Sequence, residues 1–135
     1  MARVNTTDYI TIASTGDATD FGNLIANTQG CAGASSSTRA LIGGGYDSAE
    51  SATIDYFTIS STGNGTDFGD LTSGRQLLGA CSSSLKGIFA GGTSGRSNII
   101  DFVTIATTGN ASDFGDLTIA SNKGSGCCGS HGGIA

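Results

Sequence analysis

One seventeen-residue phrase occurs three times in this chain and limits its fold more than any other feature. It reads DYITIASTGDATDFGNL from Asp8 to Leu24, DYFTISSTGNGTDFGDL from Asp55 to Leu71 and DFVTIATTGNASDFGDL from Asp101 to Leu117. The copies begin 47 and then 46 residues apart. A period in the forties, with each unit made of short strands, marks a radial array of small sheets, a β-propeller. The chain has 135 residues, 23 of them Gly and none Pro. Its apolar residues alternate in order, which a Gly/Ser linker would lack.

Each unit divides into four strand-like pieces. In the middle of the chain these are Arg75 to Ser84, Lys86 to Gly92, Asn98 to Ala106 and Ser112 to Leu117. Thr-Gly-Asn and Thr-Gly-Asp links supply the positive φ that tight hairpins need. In the third piece, Ile10 and Ile12, Phe57 and Ile59, and Val103 and Ile105 share one face, while Tyr9, Tyr56 and Phe102 with their Thr neighbours share the other. Both faces carry bulk, so the sheet is expected to be covered on both sides. In the fourth piece, Phe21, Phe68 and Phe114 point one way and Leu24, Leu71 and Leu117 the other. All of these are predicted core positions.

The units resemble kelch-type propeller blades. Gly44-Gly45 after ALIG and Gly91-Gly92 after GIFA match the kelch double glycine, and Tyr9, Tyr56 and Phe102 match its third-strand aromatic. The kelch Trp of the fourth strand is absent, with a Phe standing near it. The wording of the repeat is similar to degenerate kelch-like repeats in structural proteins of bacteriophages, cyanophages especially. The resemblance implies an all-β fold of four-stranded antiparallel blades, about three per chain. It also implies a non-enzymatic structural or adhesive module, such as a tail, fibre or capsid-decorating component of a virion.

The phase of the repeat cuts the outer units. Residues 1–24 supply the C-terminal half of a blade, 25–71 and 72–117 two full blades, and 118–135 an N-terminal half ending in a truncated strand, Gly132 to Ala135. A first strand of that last unit is expected over Ser121 to Ser130. Three blades do not close a ring, and an open array leaves raw edges. The expected partner is therefore a second copy, giving a six-bladed ring. A homotrimer of nine blades and a segment of a longer propeller are the alternatives.

Composition narrows the remaining classes. The net charge of −5 gives no basic footprint for nucleic acid. The apolar runs are too short to span a bilayer, and MARVNTTDY lacks the apolar core of a signal peptide. The expectation is a virion protein assembled in a host cytoplasm, with an extracellular protein as the alternative. Cys31, Cys81, Cys127 and Cys128 show no CxxC spacing, so they are read as reduced, mostly buried small hydrophobes rather than zinc ligands. The Asn-Thr-Thr at Asn5, Asn-Gly-Thr at Asn64 and Asn-Ala-Ser at Asn110 read as turns rather than glycosylation sites.

Candidate chemistry is sparse. Asp8, Asp55 and Asp101 recur, as do Asp20, Asp67 and Asp113, and recurrence argues for a structural task such as accepting backbone N–H groups. Ca²⁺ binding at the Asp17 to Asp20 turn and its counterparts is the alternative, though two side chains per loop are few. His131 is the only histidine and has no evident triad or metal partner. No catalytic residue, metal site or cofactor is expected. Arg39, Arg75 and Lys86, at the ends of inner strands, are expected either to anchor to a carboxylate such as the repeated Asp or to line a face of the ring. Loops carry specificity in such arrays, so Tyr46, Asp47 and Glu50 in one and Arg96 in the next are the candidate ligand-binding residues. The other expected partners are virion proteins or a surface glycan. A carbohydrate-binding lectin with pockets between blades is the competing function.

Overall fold

The computed structural model describes residues 3–92 and 95–128. It is all-β, with ten strands and no helix among the described residues. The strands are β1 (Val4–Tyr9), β2 (Thr19–Thr28), β3 (Ala32–Ser35), β4 (Arg39–Gly43), β5 (Thr53–Thr58), β6 (Thr66–Asp70), β7 (Gly79–Ser82), β8 (Lys86–Ala90), β9 (Ser97–Thr104) and β10 (Ser112–Ser121). They form three antiparallel sheets in which each strand pairs with its neighbour in sequence: β1-β2, β3-β4-β5-β6 and β7-β8-β9-β10. The two four-stranded sheets run from Ala32 to Asp70 and from Gly79 to Ser121, and β2 and β10 each continue past the end of the repeated phrase, at Leu24 and Leu117.

The Asp-Phe-Gly of the phrase has a specific geometric job. Asp8 faces Asp20 while Thr7 faces Gly22, so Phe21 is an extra residue in β2. The same irregularity falls at Phe68 between Asp67 and Gly69, and at Phe114 between Asp113 and Gly115. In each, the Asp carboxylate accepts the N–H of the Gly two residues on, at 3.1, 3.1 and 2.9 Å. The three glycines have φ of 149, 143 and 141°, a region that side-chain-bearing residues avoid. The motif is therefore a β-bulge with a built-in Asp clasp.

The strands are shorter than the sequence suggests at the inner edge. Arg75 lies outside β7, in the link from one sheet to the next. The expected strand from Ser121 to Ser130 does not form within the described residues. Residues 122–128 run beside β7 instead: the Lys123 N–H donates to Leu77 O, and the Ser82 N–H to Cys128 Sγ. The β7 edge is met there by side chain and turn rather than by a ladder. Gly132 to Ala135 and His131 lie outside the described residues.

The core runs through the two inner contacts between sheets. Leu41, Ile54, Phe57, Phe68, Leu71, Phe89, Val103 and Ile105 are buried. The expected core triplets are not uniformly buried. Phe68, Phe57 and Ile105 are enclosed, whereas Phe114, Ile10, Ile12 and Ile59 are exposed. Phe114, Ile10 and Ile12 stand on the outer members of the array, with no further sheet of the same chain against them.

Bulge position and neighbour contact can be separated by substitution. A Cβ on Gly69 would lie 2.5 Å from the Gly109 backbone, while one on Gly115 meets nothing within 4 Å. Both share the unfavourable φ, worth about 1–3 kcal/mol. At dilutions where the chain is a monomer, thermal unfolding should show Gly69→Ala destabilised well beyond Gly115→Ala. Equal losses would contradict a close turn-to-bulge contact between sheets.

Candidate functional site

The most organised polar features are the two joints between successive sheets, and the repeated Asp of the middle strand sits in each. Asp55 of β5 reaches back to the first sheet, where its Oδ2 accepts the Ile25 N–H at 3.0 Å. Asp101 of β9 does the same one repeat later, accepting the Thr72 N–H at 3.1 Å and the Thr72 hydroxyl at 2.6 Å. Backbone contacts accompany both. The Gly63 N–H donates to Phe21 O and the Gly65 N–H to Asn23 O; one repeat on, Gly109 donates to Phe68 O and Ala111 to Asp70 O. Asn64 and Asn110 side chains accept the N–H groups of Asn23 and Asp70. The turns read from sequence as hairpin links are therefore also the clamps between sheets.

The joints differ at one place. Beside Asp101 lies Arg75, and both are buried and ion-paired. The guanidinium also donates to Gly91 O and Ile99 O, each at 2.9 Å. The Arg75 backbone meanwhile bonds Ser51 O and the Gly45 N–H of the preceding sheet. One residue thus ties two sheets, as the charge pattern suggested. At the first joint the positions of Thr72 and Arg75 are held by Ile25 and Thr28. Asp55 is only 6% exposed, yet its Oδ1 has no hydrogen-bond partner, and neither has the buried hydroxyl of Thr28. Burial pushes the Asp55 carboxyl above the usual aspartate range, opposed by the Ile25 N–H and reinforced by the charge of Asp67.

Arg39 and Lys86 do not anchor to the repeated Asp. Arg39 lies over the Tyr56 ring at 4.6 Å and Lys86 over Phe102 at 4.3 Å. The reason is register: each starts its strand opposite the end of the next one, so its stem reaches the aromatic face. Arg39 also donates to Ile105 O and Ala106 O.

The loop candidates fall in corresponding links. Tyr46 and Glu50 form a bridge that closes one link, and Asp47 faces Arg3 at 3.5 Å while the Arg3 guanidinium covers the Tyr46 ring. Arg96 stands exposed in the link between β8 and β9, at positive φ. Three of the four cysteines, Cys31, Cys127 and Cys128, are exposed, and Cys81 is half-buried, which corrects the expectation of buried thiols. Cys31 lies in the link between β2 and β3, Cys127 and Cys128 follow β10, and Cys81 lies in the edge strand β7. Hydrogen bonds from the Ser82 hydroxyl and N–H pull the Cys128 thiol below its ordinary value. Among the described residues no cluster of His, Cys, Asp and Glu is arranged to hold a metal, and no helix is long and apolar enough to cross a membrane.

What the sequence reading missed is Thr28 and Ile25. Ile25 stands against Thr72 and Thr118, so a three-way alignment of the links singles it out; Thr28 stands against Arg75 and Ser121, where Arg75 is the odd residue, and no sequence signal marks it. No protein-family model matches the chain, and no curated protein does.

The two joints should answer the same substitution differently. Asp101→Asn strands Arg75 and should cost about 3–5 kcal/mol in denaturant unfolding. Asp55→Asn keeps an acceptor for Ile25 and removes an unpaired carboxylate, so at neutral pH it should match or exceed the parent. The raised Asp55 carboxyl favours folding fully below about pH 3.9, the unfolded value, and that advantage is lost as pH rises through the folded value. The stability of Asp55→Asn relative to the parent should therefore improve over that rise; a pH-independent difference would contradict a raised carboxyl.

Proposed function

We propose that this chain is a non-enzymatic structural module that completes a propeller ring with a second copy of itself. The observation that carries this reading is the complementarity of its two ends. Phe114 is 59% exposed while its counterpart Phe68 is 2% exposed, and Ile12 is 94% exposed while its counterparts Ile59 and Ile105 are 43% and 1% exposed. Each outer face has the residues that the inner joints bury against one another, and each lacks the opposite half.

The groups of a third joint are present on the two ends. By the repeat register, Asp8 corresponds to Asp55 and Asp101, and Thr118 to Thr72 with the same hydroxyl. Gly16 and Ala18 correspond to the donors Gly63 and Gly65, and Phe114 and Asp116 to the acceptors Phe68 and Asp70. A hollow of about 360 Å³, lined by Ile88, Ala90, Leu117 and Ile119 among others, opens on the β7–β10 face. In the inner joint the corresponding face receives Phe89, which packs onto Gly43. Two chains bring six sheets, two of them two-stranded among the described residues, and six is a common ring size.

The repeated Asp and Asn side chains of the joints are engaged mainly with backbone N–H groups of the neighbouring sheet, which favours a scaffold over a catalyst. The links holding Tyr46, Asp47, Glu50 and Arg96 are the surfaces such a ring displays for adhesion. A virion role is supported by the likeness of the repeat to phage structural repeats.

Sedimentation equilibrium tests the assembly. The expected mass is twice the 13.3 kDa of the chain; a stable monomer or a trimer would overturn the two-chain ring. Gly115→Ala places a methyl where the second copy's Gly16 turn would sit, so it should weaken association at least tenfold while far-UV circular dichroism is unchanged. Asp17 replaces the Asn of the other clamps and would lie beside Asp116, so added salt should strengthen association.

A further inference from the structure

The unmatched joint is itself a shaped site. Around Asp55 lies an opening of about 70 Å³ whose walls include Ile25, Thr28, Gly44, Thr53 and Ile42. That is room for more than one water, and so for a planar cationic head. The other joint supplies the template for its contents. There the Arg75 guanidinium touches the Asp101 carboxylate and the carbonyls of Gly91 and Ile99. The register places Asp55, Gly44 and Thr53 at those three positions, and all three line the opening. Thr28, standing where Arg75 would, is too short to fill it. One carboxylate oxygen, Asp55 Oδ1, and the Thr28 hydroxyl are left unpartnered in a buried setting, where an unmet acceptor is costly.

We propose that this opening binds a monosubstituted guanidinium, either a small alkylguanidine or the arginine side chain of a partner peptide. The planar head takes the place of the Arg75 guanidinium against Asp55 and the Gly44 and Thr53 carbonyls. The alkyl stem runs out between Ile25 and Ile42, as a snorkelling arginine does. A guanidinium fits better than an ammonium because the template presents three acceptors to the two terminal nitrogens of a forked donor. The site lies within one chain, so it does not depend on ring closure and survives a failure of that reading.

The test follows the Ile25 amide by heteronuclear NMR during titration with ethylguanidinium chloride, at ionic strength held constant with sodium chloride. A saturable shift is expected, and ethylammonium should bind at least tenfold more weakly. Asp55→Asn should weaken the guanidinium at least tenfold, consistent with the loss of a charge-assisted contact. Thr28→Arg should abolish the shift, because the chain then carries its own guanidinium there. N-acetyl-arginine amide distinguishes the sources: binding equal to ethylguanidinium supports a peptide arginine, and binding of the small cation alone supports an alkylguanidine. No saturable shift, or one unchanged in Asp55→Asn, would overturn the proposal and leave the opening to water. A shift produced equally by sodium would reduce it to a bare-cation site and overturn it too. Binding seen only in Arg3→Ala would assign the opening to the chain's own Arg3, which stands near its rim beside Asp47, and would also overturn it.

Discussion

An aspartate on the middle strand of each four-stranded sheet holds a backbone N–H of the sheet before it, and the rest of the arrangement depends on that reach. A sheet with both faces covered must give its neighbour a fixed place, and apolar packing alone is not directional. The carboxylates of Asp55 and Asp101 supply direction, because each bonds one particular amide, Ile25 or Thr72. The Gly63 and Gly109 turns then fall onto the preceding bulges, and the Phe21 and Phe57 rings meet edge to face with centroids 5.7 Å apart. Bulge, turn and carboxylate are three parts of one joint, which explains why they occur together in one phrase.

The second joint adds Arg75, a residue with its backbone in one sheet's network and its side chain in the next. A buried ion pair is weak evidence for stability, since desolvation offsets much of the attraction. Its value here is geometric: a fork that meets Asp101 and two carbonyls admits one relative placement of the sheets. The first joint does without it and leaves an opening. The chain thus holds one locked contact and one unlocked contact between sheets of nearly the same design.

Much of this was legible in the residues. The period located both four-stranded sheets, and the alternation of Phe57, Ile105 and their neighbours marked buried faces, because strand periodicity is local and survives without knowledge of the fold. The recurring Asp was legible as a backbone acceptor, and Arg75 as a partner for it. Three things were not. The Asp-Phe-Gly bulge looks like plain alternation, since a single inserted residue changes register without changing composition. Arg39 and Lys86 stack on rings because of a cross-strand register that hairpin spacing alone does not give. The exposure of Phe114, Ile12 and Ile59 depends on what packs against each sheet, which their own repeats do not state. The opening at Asp55 is visible only when the links are laid over one another and the side chains placed.

The account stands on the claim that the two ends of the chain make across copies the joint that its interior makes twice. Amide hydrogen exchange reads that joint residue by residue. In the assembled protein, the N–H groups of Gly16, Ala18 and Thr118 should exchange as slowly as those of Gly63, Gly65 and Thr72, their counterparts inside the chain. Exchange of the first three at the rate of open, solvated amides, while the second three stay protected, would contradict it.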